Sequence, residues 1–410
     1  MALIVVDKTV SPAQFAGPAK RSIFLAGPCP RGPAASSWKS TWHAEAVRLL
    51  EQAGFDGHVF IPLPFVGDYL DGIAWEDHFL NLADVILFWV PRKLPDMPGF
   101  TTNIEFGEWM KSGKVVLGYP EDAEKMRYLD AKAQSFKVPV THDLSAALGL
   151  CLDMLGDGVE RTGGEIYVPL HIWKNAYFQK WYASQRMAGN TLVKARLLWE
   201  FRMPKARKTF CWILHAEWFV ASENRIKSNE FVFTRSDIAC VMAVCPAAQL
   251  LDSQILVVKE FRVPARTPDG FVHEIPGGSS LKDGEDPLTV AAHELEEETG
   301  LRIDPRRIRS VGGRQLAATL SSHKAELFVA TVTEAELASV EGSSAGVAAD
   351  TELTYVSRCS VRDVLEGRVP MDWSMVGMVC GALLVDHPGL VPFESSVGAV
   401  LNKIRLGNRL

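Results

Sequence analysis

The sequence predicts an α/β protein with two main domains and a C-terminal extension. Three observations carry that expectation. Over residues 22–155, short apolar runs alternate with stretches of helical spacing, the order of a parallel sheet with crossover helices. From residue 210 onward, strand-like runs follow one another around a single strong helix, which reads as a mixed or antiparallel sheet. Between them the composition changes at GDGVERTGGE, residues 156–165. The expected divisions are residues 1–157, 158–360 and a partly helical tail over 361–410.

In the first domain, SIFLAG (22–27) reads as a buried strand ending at a glycine, followed by the proline-rich loop GPCPRGPAASS. Residues 38–54 show helical spacing through Ala44, Val47, Leu50 and Ala53. A strand at 58–62, a helix around 75–83, a strand at 85–90, a helix from about 103 to 111, a strand at 114–117 and a helical closing segment at 144–155 complete the block. Ligands of such sheets sit beyond the carboxyl ends of the strands. That places the binding loops at 27–37, 65–75 and 91–105. Beyond the boundary, Trp173, Tyr177, Phe178, Trp181 and Tyr182 mark a helical hairpin or a dimer surface. Strand-like runs then fall at 210–220, 231–234, 238–245 and 254–263, a helix at 288–299, and a strand pair within 310–331.

Composition excludes several classes. The 410 residues are 47% hydrophobic with a formal net charge of -6, so neither large-scale disorder nor a polybasic scaffold is expected. Seven scattered cysteines without CxxC spacing read as reduced thiols of a cytoplasmic protein. MALIVVDKTV reaches Asp7 before it can form a secretory core. The longest apolar run, 375–385, is about half of what a membrane helix needs, so no membrane association is expected. Nucleic-acid binding is not expected, for lack of a recognition helix or a sustained basic tract. The one basic stretch, 196–208, reads as a small patch or a surface helix and turn.

The strongest chemical signal is EIPGGSSLKDGEDPLTVAAHELEEETGL, residues 274–301. Gly277, Gly278 and Gly284 permit a tight loop, and Pro287 suits a first helical turn. Glu294, Glu297 and Glu298 then fall at i, i+3 and i+4 on one helix face, and Gly300 ends the helix. Clustered carboxylates repel, and a hard divalent cation, Mg²⁺ or Mn²⁺, relieves the repulsion. A solvated acidic face explains the bare spacing equally well.

The pattern extends further, however. Glu285, Glu294, Leu295, Glu297, Glu298, Gly300 and Leu301 match the Nudix box, so this region resembles the Nudix hydrolase superfamily. The resemblance implies an α/β/α sandwich with extra helices, metal ligation by Glu294, Glu297 and Glu298, and Glu294 and Glu298 as catalytic groups. It also implies a substrate contact at Gly278 and cleavage of a nucleoside diphosphate joined to another group. Two departures stand out: the stretch from Gly278 to Glu285 is one residue longer than the pattern, and His293 replaces the usual arginine. KEFR at 259–262, followed by HEIPGG, resembles the segment before the box in ADP-sugar pyrophosphatases. That likeness brings Arg262 toward a phosphate, although a surface arginine on an edge strand is an equal explanation. Glu341 and Glu352 are candidates, by position only, for an assisting loop glutamate.

In the first domain, ADVILFWVPRKLPDMPGFTTNIEFGEW sets Asp84 at the opening of a strand and Glu105 in a helix behind a Thr-Thr-Asn cap-like run. A helix start favours an ionised carboxylate, and an ionised carboxylate beside a sugar can attack an anomeric carbon. Capping and surface charge account for the same residues. FLAGP near residue 24, the AD-x-I-x-FW strand and NIEFG together resemble the nucleoside 2-deoxyribosyltransferase-like superfamily over residues 20–120. The resemblance implies a flavodoxin-like parallel sheet, Glu105 as nucleophile at C1′, Asp84 handling the base, and a homodimer. It also brings Gly27, Arg31 and Ser37 of the first loop to sugar or phosphate. Asn103 stands at the helix start, Arg92 and Lys93 are anion candidates, and Trp75-Glu76 offers a stacking ring and a second acid. Each of these has a surface or core alternative. Transfer and hydrolysis stay open.

The expectation for the whole chain is a bifunctional nucleotide-processing enzyme acting on small-molecule nucleosides or nucleotides. The alternative is a nucleotide or ADP-ribose sensor whose altered box binds without turnover.

Overall fold

A strand covered on both faces must be apolar at every position, and the two central strands of the first sheet meet that demand. The computed structural model describes residues 2–15, 20–30, 37–64, 67–203, 209–280, 282, 284–345 and 353–386. Strands β1 (Ile4–Asp7), β2 (Ser22–Ala26), β3 (His58–Ile61), β4 (Val85–Trp89), β5 (Val115–Gly118) and β6 (Val140–Thr141) form one sheet in the order β1-β3-β2-β4-β5-β6. Every pairing is parallel. All ten residues of β2 and β4 are buried. The topology is flavodoxin-like with one added edge strand, β1.

Alternate residues of these strands serve opposite faces. Phe24, Ala26, Ile86 and Phe88 pack with helices α2 (Tyr69–Leu82), α3 (Phe100–Trp109) and α4 (Arg127–Ser135). Ile23, Leu25, Val85 and Leu87 pack with α1 (Trp42–Gln52) and α5 (Leu144–Leu155). Helix α2 begins at Tyr69, capped by Asp68, well before the expected residue 75. Its end is fixed by buried Lys114, whose Nζ donates to the carbonyls of Leu80, Asn81 and Ala83 at 2.7, 3.0 and 2.8 Å. Helix α3 begins at Phe100 behind Gly99, which has φ 63°. The Thr-Thr-Asn run therefore lies inside the helix and does not cap it.

The chain divides into two compact units, Met1–Thr234 and Arg235–Leu410. Residues after 157 thus belong with the first unit, and a buried ion pair shows why. Arg161 Nη2 lies 2.6 Å from Asp84 Oδ2, with side chains 1% and 0% exposed, and Nη1 donates to the Val168 carbonyl at 2.7 Å. Helices α6 (Leu170–Trp173) and α7 (Ala176–Met187) follow, then an antiparallel sheet of β7 (Thr191–Arg202), β8 (Thr209–Val220) and β9 (Arg225–Arg235). Trp173, Phe178, Tyr182, Trp212 and Trp218 form a core between these helices and the sheet. The aromatic run is therefore largely interior. The expected helix and turn over 196–208 is corrected: residues 196–202 are strand, paired to β8. Residues 204–208 lie outside the described set.

In the second unit, β10 (Ile238–Cys245), β11 (Gln254–Phe261), β12 (Phe271–Glu274), β13 (Gly277–Gly278), β14 (Ile308–Gln315), β15 (Lys324–Thr331), β16 (Ser344–Ala345) and β17 (Thr354–Ser360) make one mixed sheet. Its path runs β14-β15-β10-β11-β17-β16, with β12 on β11 and β13 on β10. Helices α8 (Pro287–Thr299) and α9 (Glu334–Val340) cover one face. Helices α10 (Val361–Leu365) and α11 (Trp373–Asp386) cover the other. The result is the expected α/β/α sandwich, and the tail as far as Asp386 is helical. Among the described residues, no helix is long and apolar enough to cross a membrane.

Removing one partner of a buried ion pair strands the other charge. Asp84→Ala should therefore destabilise the first unit by about 3–5 kcal/mol. Asp84→Ala/Arg161→Met should recover most of that loss, read as the midpoint of the first unit's urea transition.

Candidate functional site

The acidic loop and helix of the second unit are assembled by backbone geometry. Asp286 caps α8 by accepting from Thr289 N, Pro287 opens the helix, and Gly300 closes it at φ 73°. A side chain at Gly277 would meet the Ala239 carbonyl and Cys240 Cα at 2.7 Å, so only glycine lets this strand lie on β10. A Cβ at Gly278 would come 2.6 Å from a Glu294 oxygen. Glu294 therefore lies directly over the loop. Glu298 Oε2 accepts from Gly277 N at 3.0 Å.

Charge accumulates here. The Glu298 carboxyl is pushed up to about 8, first by burial, with Glu294, Glu260 and Glu274 adding repulsion against the helpful Gly277 N–H. The buried Cys240 thiol beneath is pushed up to about 12 by burial and then by Glu298, Glu274 and Glu294. Arg262 is the balancing cation. It grips Glu274 with Nε and Nη2 at 3.0 and 2.8 Å and reaches Glu260 at 2.8 Å. These carboxylates raise the Arg262 guanidinium well above its ordinary value. Its charge is already committed, so the direct phosphate contact expected for it is not what this arrangement displays.

Glu297 turns elsewhere, with Oε2 3.3 Å from exposed His293 Nδ1. Among the described residues no three His, Cys, Asp or Glu side chains stand together as a ready metal cage. The donor chemistry nevertheless suits a hard cation. The oxygens of Glu294 and Glu298 adjoin one glycine loop, and the surplus negative charge that raises Glu298 is what a divalent ion would relieve. In the lengthened loop, Ser279 accepts from Arg235 Nη2 at 3.0 Å and Ser280 donates to Glu285. Glu341 pairs with Arg358 at 3.0 Å, and Glu352 lies outside the described residues.

In the first unit a second acidic cluster lies at the carboxyl ends of the parallel strands. Lys8 directly follows β1, and its Nζ lies 2.6 Å from Glu76 Oε1 on α2. Glu105 of α3 shares a hydrogen bond with Glu76, and its carboxyl is pushed up to about 8 by burial first and by Glu76 second. This corrects the expectation of an ionised helix-start carboxylate. Glu105 sits a turn and a half into α3, beside another acid, so its protonated form donates to Glu76. Half-buried Cys29, just after β2, is pushed up to about 12 by burial and then by Glu76.

The remaining candidates separate. Asp84 stands at the amino end of β4 in the Arg161 pair and is not brought to Glu105. Trp75 is a core residue against Phe24 and Phe79, its Nε1 donating to the Val10 carbonyl at 2.9 Å. Gly27 is required because a Cβ would meet the Trp89 carbonyl at 1.9 Å, where β2 and β4 converge. Ser37 caps a 3₁₀ turn over Trp38–Ser40. Arg31 lies outside the described residues. Arg92 is buried and donates to Asn103 and to the Lys125 carbonyl, whereas exposed Lys93 pairs with Asp122 at 2.6 Å. Lys8 was missed. Its only signal is a cation ending an apolar run.

Residues 242–373 match the NUDIX domain family model. This C-terminal region therefore matches the Nudix superfamily, and the match supports a pyrophosphatase-type hydrolase in general, commonly Mg²⁺-dependent. No curated protein matches the chain.

Glu298 and Glu105 hold protons in the folded state that an unfolded chain has lost above its ordinary carboxyl value of 4.5. Folded stability should then fall as pH rises from about 4.5 to 8 and level off beyond. Thermal melts in EDTA across that range check this. Added Mg²⁺ should raise the second unit's melting temperature more at pH 8.5 than at 5.5, and Glu298→Gln should remove most of that difference.

Proposed function

We propose that the chain is a bifunctional nucleotide-processing enzyme. The second unit hydrolyses a nucleoside diphosphate joined to another group, of the ADP-sugar kind, releasing a monophosphate. The first unit breaks the N-glycosidic bond of a nucleoside or nucleotide. The observation that carries the first half is the Glu298 carboxylate tied to Gly277 N–H, with Glu294 over Gly278.

Mg²⁺ or Mn²⁺ held by Glu294 and Glu298, with Glu297 completing the set, would supply charge neutralisation at the pyrophosphate and an activated water. The chain's own residues do the rest. Gly277 N–H orients Glu298, Arg262 holds Glu260 and Glu274 in place, and Gly278 lets the Glu294 carboxyl lie against the loop. Glu294, which lies over Gly278 beside Glu298, is the group placed to take a proton from water once Glu298 is held as a carboxylate.

In the first unit, Glu76 and Glu105 form a pair of the acid–base type. The Glu105 proton passes to Glu76 along their hydrogen bond, and the freed Glu105 carboxylate attacks C1′. The C1′–N bond breaks, and the proton moves from Glu76 to the departing base nitrogen. Water or a second base then resolves the glycosyl ester. A homodimer is part of this reading, by resemblance only.

A second reading, a nucleotide sensor, draws support from His293, which faces Glu297 rather than the Glu294–Glu298 pair. Calorimetric titration with ADP-ribose, with and without Mg²⁺, separates the two: tight binding without product over hours favours the sensor.

Purified protein with Mg²⁺ should release monophosphate from an ADP-sugar, read by mass spectrometry. Glu298→Gln should lower that rate at least about a hundredfold, near the 2.7 kcal/mol scale of one catalytic contact. Glu105→Gln should abolish base release alone. Because the step uses the one proton held by the Glu76–Glu105 pair, kcat/KM for base release should fall as pH rises through about 8. Glu76→Gln should shift that midpoint down, and a flat profile would contradict the assignment.

A further inference from the structure

Helix α3 presents two chemically different faces. Glu105 points to one. Asn103, Gly107 and Met110, at i, i+4 and i+7, form the opposite face and line a cavity of about 560 Å³ between α3 and α4. Its volume falls in the range of small-molecule sites, roughly 300–1,000 Å³. It is separate from the Glu76–Glu105 cluster, because neither acid is among its lining residues.

The lining is cationic and aromatic. Arg92, Lys125 and Lys132 contribute positive charge, and the lining contains no Asp or Glu. Arg92 is 4% exposed, yet its guanidinium meets only neutral oxygens, those of Asn103 and the Lys125 backbone, among the described residues. Its Nε is buried without a hydrogen-bond partner. A buried guanidinium facing no carboxylate costs free energy unless an anion visits it. At the rim, Phe100 and Tyr128 are 69% and 70% exposed, an uncommon placement for two rings beside one opening. Flat exposed rings next to a positive floor suit a ligand that stacks and carries a dianion.

We propose that this cavity is a second ligand site, taking a nucleoside monophosphate with its phosphate toward Arg92, Lys125 and Lys132 and its base on Phe100 and Tyr128. The site assigns to Arg92 and Asn103 a role apart from chemistry at Glu105, and it stands whether or not either unit turns over.

Calorimetric titration of the full chain tests this, with AMP, adenosine and inorganic phosphate as probes and Glu105→Gln as the parent so that AMP is not consumed. AMP should bind, and adenosine or phosphate alone should bind at least about tenfold more weakly, a 1.4 kcal/mol difference. Lys132→Glu and Tyr128→Ala, on the α4 side of the cavity, should each weaken AMP about tenfold, and Lys132→Arg should retain affinity. Circular dichroism melts of these variants verify folding. AMP binding that ignores Lys132→Glu and Tyr128→Ala would overturn the proposal. So would the absence of AMP binding up to millimolar concentration.

Discussion

Two carboxyl groups held close together away from water cannot both stay ionised cheaply. Either a proton or a cation must sit between them. Each unit of this chain contains such a place. Around Gly277 and Gly278 the acids are Glu260, Glu274, Glu294 and Glu298, and Arg262 pairs with two of them, Glu260 and Glu274. At the carboxyl ends of the parallel strands they are Glu76 and Glu105, with Lys8 as the nearby cation. Neither arrangement arises from stability alone, since a solvated acid or an apolar residue would cost less. The surrounding fold is what holds them. Gly277 can lie on β10 only without a side chain, Asp286 and Gly300 fix the ends of α8, and Gly99 starts α3 where Glu105 reaches α2.

How much of this could be read in the sequence follows from the range of the interactions. Helix α8 was legible almost to the residue because its signals are local: a proline at the first position and a glycine just past the end. Strands β2, β4 and β10 were legible because apolar residues without interruption mean burial on both faces. By contrast, Asp84 looked like a site residue because its position next to an apolar strand matched a family pattern. Its partner Arg161 is 77 residues away, and nothing local announces that pair. The same distance hid the division at Thr234, since a composition change marks a loop but not which core the following aromatic residues enter. The basic stretch after residue 195 was read by charge, whereas its alternation across the β7–β8 pair decides its structure. Lys8 and Glu76 lie 68 residues apart and carry no shared motif.

The electrostatics also change what the departures from the Nudix box mean. An arginine at position 293 would bring a permanent cation onto the same helix face as Glu297. His293 is exposed, reaches only Glu297, and brings full charge only when protonated. The surplus negative charge at Glu298 is therefore left to Arg262, which already serves Glu274 and Glu260, to Arg235 beside Ser279, and to whatever cation the loop acquires. On the proposed reading, such a site would depend more on its metal than one with an arginine at position 293. Its metal-free form favours the protonated acid, and metal binding must displace that proton. Affinity for the ion then rises with pH through the Glu298 titration near 8. The histidine thus does not by itself mark a dead box. It moves the burden of charge neutralisation from the protein to the bound ion, so low apparent activity at acidic pH or low metal would follow from the charge balance even in a competent enzyme.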